Sequence, residues 1–433
     1  MERKHSFGDW LSSLVDRVTQ RKDNSVSNDA LINLSNCRIG SKVLFATDEW
    51  FACCENLLKP EEPVFDPNAF CKQGKVMDGW ESRRKRTPGH DWCIIELGIP
   101  GNVKYVDIDT RWFTGNNVPA ISIQGIEASD AEIEILNNLP GNKDGRLGTQ
   151  GTCCTLDEIV DANNKCNKMN WISIVEETPL NPGYEFESLT SKNACCNARI
   201  THIRVNYFPD GGVARLRLWG SIFYDFTNDS LEEKVIDLAA LSQGGVGLAC
   251  SNQHYGVPSN LLQPGRGFNM GDGWETARHP HRPRIIEIDP KTGITASTLS
   301  DWCVIQLGCP TLNIQRLELD TNHFRGNFPE SVTVEAAYDA TPYSHDSGYI
   351  NSDVSTLEWK PLLCRTRLTS SANHVFTEFA IKAEDEIKIS HLRVTIFPDG
   401  GIMRVRAFGI PHVASLNAKP DMPETLVGTP TVK

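Results

Sequence analysis

The sequence predicts an all-β protein built as two tandem jelly-roll (galactose-binding-like) β-sandwich domains. Three observations carry this: blocks of residues recur in the same order in both halves, the recurring runs are short and β-branched, and Pro, Gly and Asn clusters punctuate them. Asp78-Gly79-Trp80-Glu81-Ser82 returns as Asp272-Gly273-Trp274-Glu275-Thr276. Asp91-Trp92-Cys93 followed by Ile94-Ile95-Glu96-Leu97-Gly98 returns as Asp301-Trp302-Cys303 with Val304-Ile305-Gln306-Leu307-Gly308. Asp109-Thr110-Arg111-Trp112-Phe113-Thr114-Gly115-Asn116 returns as Asp320-Thr321-Asn322-His323-Phe324-Arg325-Gly326-Asn327. HIRVNYFPDGGVARLRLWG from His202 to Gly220 is answered by HLRVTIFPDGGIMRVRAFG from His391 to Gly409.

A period this long exceeds any solenoid unit, so each copy is expected to own a core. The 433 residues agree, since a typical domain size of about 150 gives roughly two or three domains. The expected organisation is an N-terminal helical extension over 1–33, a first repeat over 34–226, a polar linker over 227–234, a second repeat over 235–412 and a flexible tail over 413–433, rich in Pro and Thr.

Within each copy the runs CIIELG, YVDIDT, AISIQG and WISIVEE, and their partners CVIQLG, RLELDT and SVTVEA, read as strands. Phe-Pro-Asp-Gly-Gly between two alternating runs reads as a hairpin, with Pro presetting φ and Gly taking the left-handed position. Alternation then puts Arg215 with Arg217, and Arg404 with Arg406, on one strand face. The stretches 137–170 and 338–360 differ between copies and read as surface excursions. The segment 279–299 is a further insertion of the second copy.

Composition limits the function. Hydrophobic content of 39% and charged content of 23% suit a soluble globular chain. No apolar run approaches the roughly 18 residues of a membrane span. The start, MERKHSFGDWLSSLVDRV, lacks a continuous apolar core and reads as an amphipathic helix, not a secretory signal. A net charge of -12 argues against broad binding to nucleic acid or an anionic membrane. Fourteen cysteines include the adjacent pairs 53–54, 153–154 and 195–196 but no Cys-x-x-Cys, so reduced thiols in a cytoplasmic protein are the expectation.

Among the recurring polar residues, Asp78, Glu81, Asp272 and Glu275 supply carboxylates after a tight Gly turn, with turn capping as the competing role. Arg83 and Arg278 follow directly and suit a carboxylate clamp, although a solvated charge run is the commoner explanation. The Asp-Thr-x-x-Phe-x-Gly-Asn block lies where a strand feeds a loop and brings Asp109, Asn116, Asp320 and Asn327 together with His323, a side chain suited to proton transfer. His202 and His391 read as core or interface histidines.

These four blocks, in this order and twice over, resemble the allantoicase family from about Leu34 to His412. The resemblance implies a duplicated jelly-roll, hydrolysis of allantoate to (S)-ureidoglycolate and urea, and a part in purine (urate and allantoin) degradation. Allantoate is a carboxylate whose α carbon bears two ureido groups, so its hydrolysis calls for a cation, amide and carboxylate partners, and a proton donor. The expected catalytic residues are Asp320, His323 and Glu275. Substrate binding is expected from Arg83, Arg278, Asn327, Asp109 and Asn116. No cofactor is expected. A divalent metal is a minority alternative, because no His-x-x-x-His spacing occurs. A non-catalytic module binding ureides or carbohydrate is the competing function, and a homo-oligomer is the expected assembly.

Overall fold

The computed structural model describes residues 31–140, 150–186, 188–222, 234–339, 354–382, 385 and 387–415. Each repeat is a two-layer antiparallel sandwich. In the second repeat the layers are separate sheets. One runs Val246–Cys250, Asp301–Thr311, Ile389–Phe397, Ser331–Ala337, Lys360–Arg367, and the other Ile236–Asp237, Arg404–Gly409, Ile314–Asp320, Asn373–Phe376. The first repeat has the same order, but its counterpart of the two central strands is a single strand, Asp91–Asp109. That strand pairs with Arg199–Phe208 through its first half and with Arg215–Ile222 through its second, so it belongs to both layers.

The alternation read from the sequence is the reason the layers close. Strand Arg199–Phe208 turns Ile200, Ile203, Val205 and Tyr207 into a core with Ile95, Val106, Ile108, Ile121, Ile123 and Leu218. The corresponding core of the second repeat also takes in Ile32, Ile39 and Ile99 of the first, so one apolar cluster crosses the boundary between repeats. Ile32–Asn33, placed by the sequence at the end of the N-terminal helical extension, is a strand paired with Trp219 and Gly220. The rest of that extension, apart from Leu31, lies outside the described residues, as do 227–233 of the linker and 416–433 of the tail.

The described part of the 137–170 stretch, read from sequence as a surface excursion, joins the helix before it in a covering layer; 141–149 lie outside the described residues. Helices Asp130–Asn137 and Leu156–Cys166 bury Leu136, Ala162 and Cys166 against Phe45, Trp92, Ile94 and Ile126 on the outer face of the first sheet. Both helices begin with a reciprocal cap: the Glu132 carboxylate accepts from Ser129, and Glu158 accepts from the Thr155 amide at 2.7 Å while the Thr155 hydroxyl accepts from the Glu158 amide. None of the fourteen cysteines is in a disulfide. His202 and His391 are buried in their strands, as expected for core positions, each with Nδ1 against a neighbouring hydroxyl.

The hairpin glycines Gly211 and Gly400 take positive φ, 130° and 137°, and the preceding Phe-Pro bonds are cis. The hairpin arginines do share a face: Arg215 and Arg217 both reach the 61–78 segment, and Arg404 and Arg406 both bond the carbonyl of Gly265.

Candidate active site

The recurring blocks converge because they fill one another's space. Trp80–Glu81 pairs with Gly212–Val213 after the hairpin, and Trp274–Glu275 pairs with Gly401–Ile402. Phe113 of the Asp-Thr loop lies on this ribbon. A Cβ on Gly212 would sit 2.1 Å from the Phe113 ring, and one on Gly79 would sit 2.4 Å from the carbonyl of Val213. Gly401 and Gly273 stand the same way toward Phe324. The Ser82 and Thr276 amides donate to the carbonyls of Gly211 and Gly400, and their hydroxyls accept from the amides of the same glycines. The Gly212 amide donates to the Asn116 carbonyl at 2.8 Å, and Gly401 to Asn327 at the same distance. Most letters of the blocks therefore have folding duties.

The acids divide on this basis. Asp78 is paired with the buried Arg215 at 2.6 Å and with Lys59 at 2.8 Å. Burial works to raise the Asp78 carboxyl, but the bonds from Arg215 and Lys59 outweigh it and hold the carboxyl below its ordinary value. Asp272 pairs with Arg38, Asp91 with Lys85 at 2.6 Å, and Asp109 lies 3.3 Å from the Arg111 guanidinium. Asp320 receives two bonds from Arg266, 2.7 and 3.0 Å, and a third from the Asn322 amide.

Glu81 and Glu275 differ, because the side-chain partner of each is a neutral amide. Asn116 Nδ2 donates to Glu81 Oε1 at 2.7 Å, and Asn327 Nδ2 to Glu275 Oε1 at 2.5 Å. Glu81 is the more deeply set, 8% exposed. Burial disfavours its charged form and the Asn116 bond only partly offsets this, so its carboxyl is pushed up to about 7. It lines a cavity of 220 Å³ with Phe51, Phe65, Met77, Trp112, Lys75 and Asn116. This is below the roughly 300–1,000 Å³ of sites for drug-sized ligands, a scale suited to a small metabolite. Trp112 stacks on Phe65 with ring centres 5.4 Å apart, and the Lys75 ammonium stands 4.9 Å from the Phe65 ring.

The structure thus brings together Asn116 with Glu81 and Asn327 with Glu275, and leaves other expected site residues elsewhere. Arg83 faces Asp48 at 2.7 Å and covers Trp50. Arg278 bonds the carbonyl of Pro283. Neither arginine lines the Glu81 cavity; its cation is Lys75. No hydrogen bond joins Asp320 to His323 among the described residues. Asp320 is held by Arg266, and His323 Nε2 lies 3.2 Å from the Gly267 carbonyl. Asp109 likewise closes a turn onto the Arg111 amide.

Trp112 and His323 hold the same place in the two loops and both take left-handed backbone, φ 73° and 67°. Such a conformation in a large non-Gly residue is uncommon and concentrates at functional sites. Sequence gave no sign of it, nor of Phe65 and Lys75, which reach the cavity from a segment without a counterpart block. Among the described residues, no three His, Cys, Asp or Glu side chains are grouped to hold a metal ion.

Comparison with known proteins decides the family. The allantoicase repeat model matches twice, over residues 32–223 and 236–412. The chain belongs to the allantoicase family. A probable allantoicase from Acinetobacter baumannii (strain AYE) is 36% identical over 377 residues, covering 87% of this chain and 93% of its own. Probable allantoicase 1 of Burkholderia mallei (strain ATCC 23344) is 38% identical over 379 residues, covering 87% and 94%. The crystal structure of allantoicase from Saccharomyces cerevisiae matches with a TM-score of 0.60 at 29% identity, over 94% of this chain and 99% of that one. Both allantoicase repeats carry the Glu-Asn pair, and in the first repeat it lines the 220 Å³ cavity.

Proposed function

We infer that this chain is an allantoicase that hydrolyses allantoate to (S)-ureidoglycolate and urea within purine breakdown, and we propose the Glu81 cup as the place of reaction. The observation that carries the site is that Glu81 is buried, accepts its side-chain hydrogen bond from a neutral amide, and has its carboxyl raised to about 7. A carboxyl poised there is available both as proton donor and, once ionised, as base at neutral pH.

The chemistry follows from the cup's residues. Glu81 in its protonated form donates to the ureido nitrogen on the α carbon. The C–N bond breaks and urea leaves, while the remaining ureido nitrogen supplies electron density to the carbon. Water then adds to that carbon, and the Glu81 carboxylate takes up the proton water releases. Asn116 commits Nδ2 to Glu81 and keeps Oδ1 to accept from a ureido N–H. Trp112 and Phe65 give flat apolar walls for planar ureido groups, and Lys75 gives the substrate carboxylate a positive charge. Glu275 with Asn327 offers the same pair in the second repeat, and His323 replaces the Trp112 wall there with an ionisable ring.

No helix among the described residues is long and apolar enough to cross a membrane. Fourteen cysteines outside disulfides suit the cytoplasm, which we propose as the compartment. Homo-oligomeric assembly is proposed on the general tendency of soluble enzymes toward closed symmetry and is checked by sedimentation.

The direct test is urea release from allantoate by chelator-treated protein, with and without added divalent metal, for the wild type and Glu81→Gln. Loss of about two or more orders of magnitude in kcat with the fold intact supports the site. Full activity in Glu81→Gln removes Glu81 from the mechanism, and an inactive, folded wild type under both metal conditions removes the activity itself.

A further inference from the structure

The outer face of the first sheet holds a second polar cleft, about 570 Å³, away from the lining of the Glu81 cup. Arg204 forms part of its wall, with Gln124 and Ser122 on the neighbouring strand and Asn206 two residues on. In register, Arg204 is opposite Gln124 and Asn206 is opposite Ser122. The second repeat places Arg393 opposite Glu335 and Thr395 opposite Thr333 at the equivalent positions.

That one difference changes the electrostatics. Arg393 is neutralised by Glu335, with Nε donating to Oε2 at 2.7 Å and NH2 at 2.6 Å from the same oxygen. Gln124 cannot neutralise Arg204, and no carboxylate pairs with Arg204 among the described residues. Instead the guanidinium lies 4.1 Å from the Trp92 ring centre and donates to two amide oxygens, Asn167 at 3.1 Å and Asn163 at 3.0 Å. Its Nε is buried with no hydrogen-bond partner, and the residue is only 7% exposed. A buried cation held only by neutral groups is a costly arrangement unless an anion completes it.

The surroundings narrow the anion. Asn206 Nδ2 donates to Ser122 Oγ at 3.1 Å and Gln124 Oε1 at 3.3 Å, and its Oδ1 lies 3.2 Å from His90 Nε2. Asn170 and Trp171 complete the wall. A single guanidinium suits one negative charge, and carboxamides that both donate and accept suit an amide or urea group beside it.

We propose that this cleft binds a small monocarboxylate bearing a ureido or amide group, as a ligand site separate from the site of hydrolysis. The ligand class rests on the allantoicase reading, because substrate and product both belong to it; the anion preference rests on Arg204 and Gln124 alone.

The probe is N-carbamoylglycine, a monocarboxylate with one ureido group, titrated calorimetrically into the full chain. The proteins are wild type, Glu81→Gln, Arg204→Gln and Gln124→Glu. Gln124→Glu is the decisive variant, since it installs the ion pair that the second repeat already tolerates. Binding that survives Glu81→Gln and weakens at least tenfold in Gln124→Glu, in a protein of unchanged thermal midpoint, supports the cleft. Unchanged binding in Gln124→Glu and Arg204→Gln overturns it, as does acetate binding as tightly as N-carbamoylglycine. Urea release from allantoate is measured separately on the same samples, so a wild type that binds the probe through Arg204 but releases no urea overturns the enzymatic reading and leaves the anion site standing.

Discussion

Arg38 of the first repeat pairs with Asp272 of the second, the acid whose counterpart Asp78 pairs within its own repeat with Arg215. Arg404, the counterpart of Arg215, is left bonding backbone carbonyls of Asp272, Met403 and Gly265, and burial lowers its guanidinium to about 10. The same side chain of Arg38 also reaches Glu61, so a single guanidinium joins the turn segments of both repeats. Arg38→Ala leaves Asp272, 2% exposed, without its cation. The expected cost is about 3 kcal/mol, the low end for breaking a buried pair, because the Phe268 and Asn269 amides continue to hold its other oxygen. Chemical unfolding of the full chain measures it; a change within error would show that the pair contributes nothing across the boundary.

The pH dependence of turnover reports on Glu81. If its proton is needed to expel urea, kcat/KM falls as pH rises through about 7. Asn116→Ala deletes the bond that lowers this carboxyl, so the falling limb is expected at higher pH than in the wild type. A limb that stays in place would assign the ionisation to another group.

Two buried groups give stability opposite slopes with pH. The Glu81 carboxyl binds its proton more tightly folded than unfolded, so the folded state holds more protons between the ordinary value near 4.5 and about 7, and stability is lost as pH rises across that window. Burial brings His391 down to about 4 despite the opposing influence of Asp339, so the unfolded state holds more protons between about 4 and 6.5, and stability is lost as pH falls across that window. Each is worth roughly 3 kcal/mol, and the wild-type profile partly conceals both. The difference in unfolding free energy between wild type and Glu81→Gln is expected to change by that amount between pH 4.5 and 7.5; a constant difference would place an ordinary carboxyl at position 81.

Gly212→Ala drives a methyl group into the Phe113 ring. Overpacking of this kind costs about 1–3 kcal/mol, and here it also displaces the strand carrying Glu81, so a lower melting temperature and reduced turnover are expected together. Gly212→Ala with Phe113→Leu is expected to recover part of the melting temperature. Calorimetry on the pair checks both statements, and an unshifted single variant would contradict the packing.

Much of this architecture was legible because it repeats. Duplicated blocks announced two sandwiches, and Phe-Pro-Asp-Gly-Gly announced the hairpins. The pairings Glu81 with Asn116 and Glu275 with Asn327 joined residues already singled out. What separates Glu81 from Asp78 was not legible, because it depends on Arg215, 137 positions away, meeting one acid and not the other. Local spacing carries no information on such a distant partner. The helices Asp130–Asn137 and Leu156–Cys166 were missed although Ser129-x-x-Glu132 and Thr155-x-x-Glu158 are capping patterns; their role as a cover for Trp92 is a tertiary fact.

Gly79, Phe113 and Gly212 occupy one another's vacant volume, so none of them tolerates replacement alone. The side chains of Glu81 and Glu275 stand outside that interlock, each accepting one hydrogen bond from an Asn side chain. Duplicating the domain therefore copied a frame that resists drift around an acid that does not. On the proposed mechanism, a copy would lose its chemistry by a single exchange of Glu for a neutral residue and still fold, which makes the frame a more durable inheritance than the reaction proposed within it.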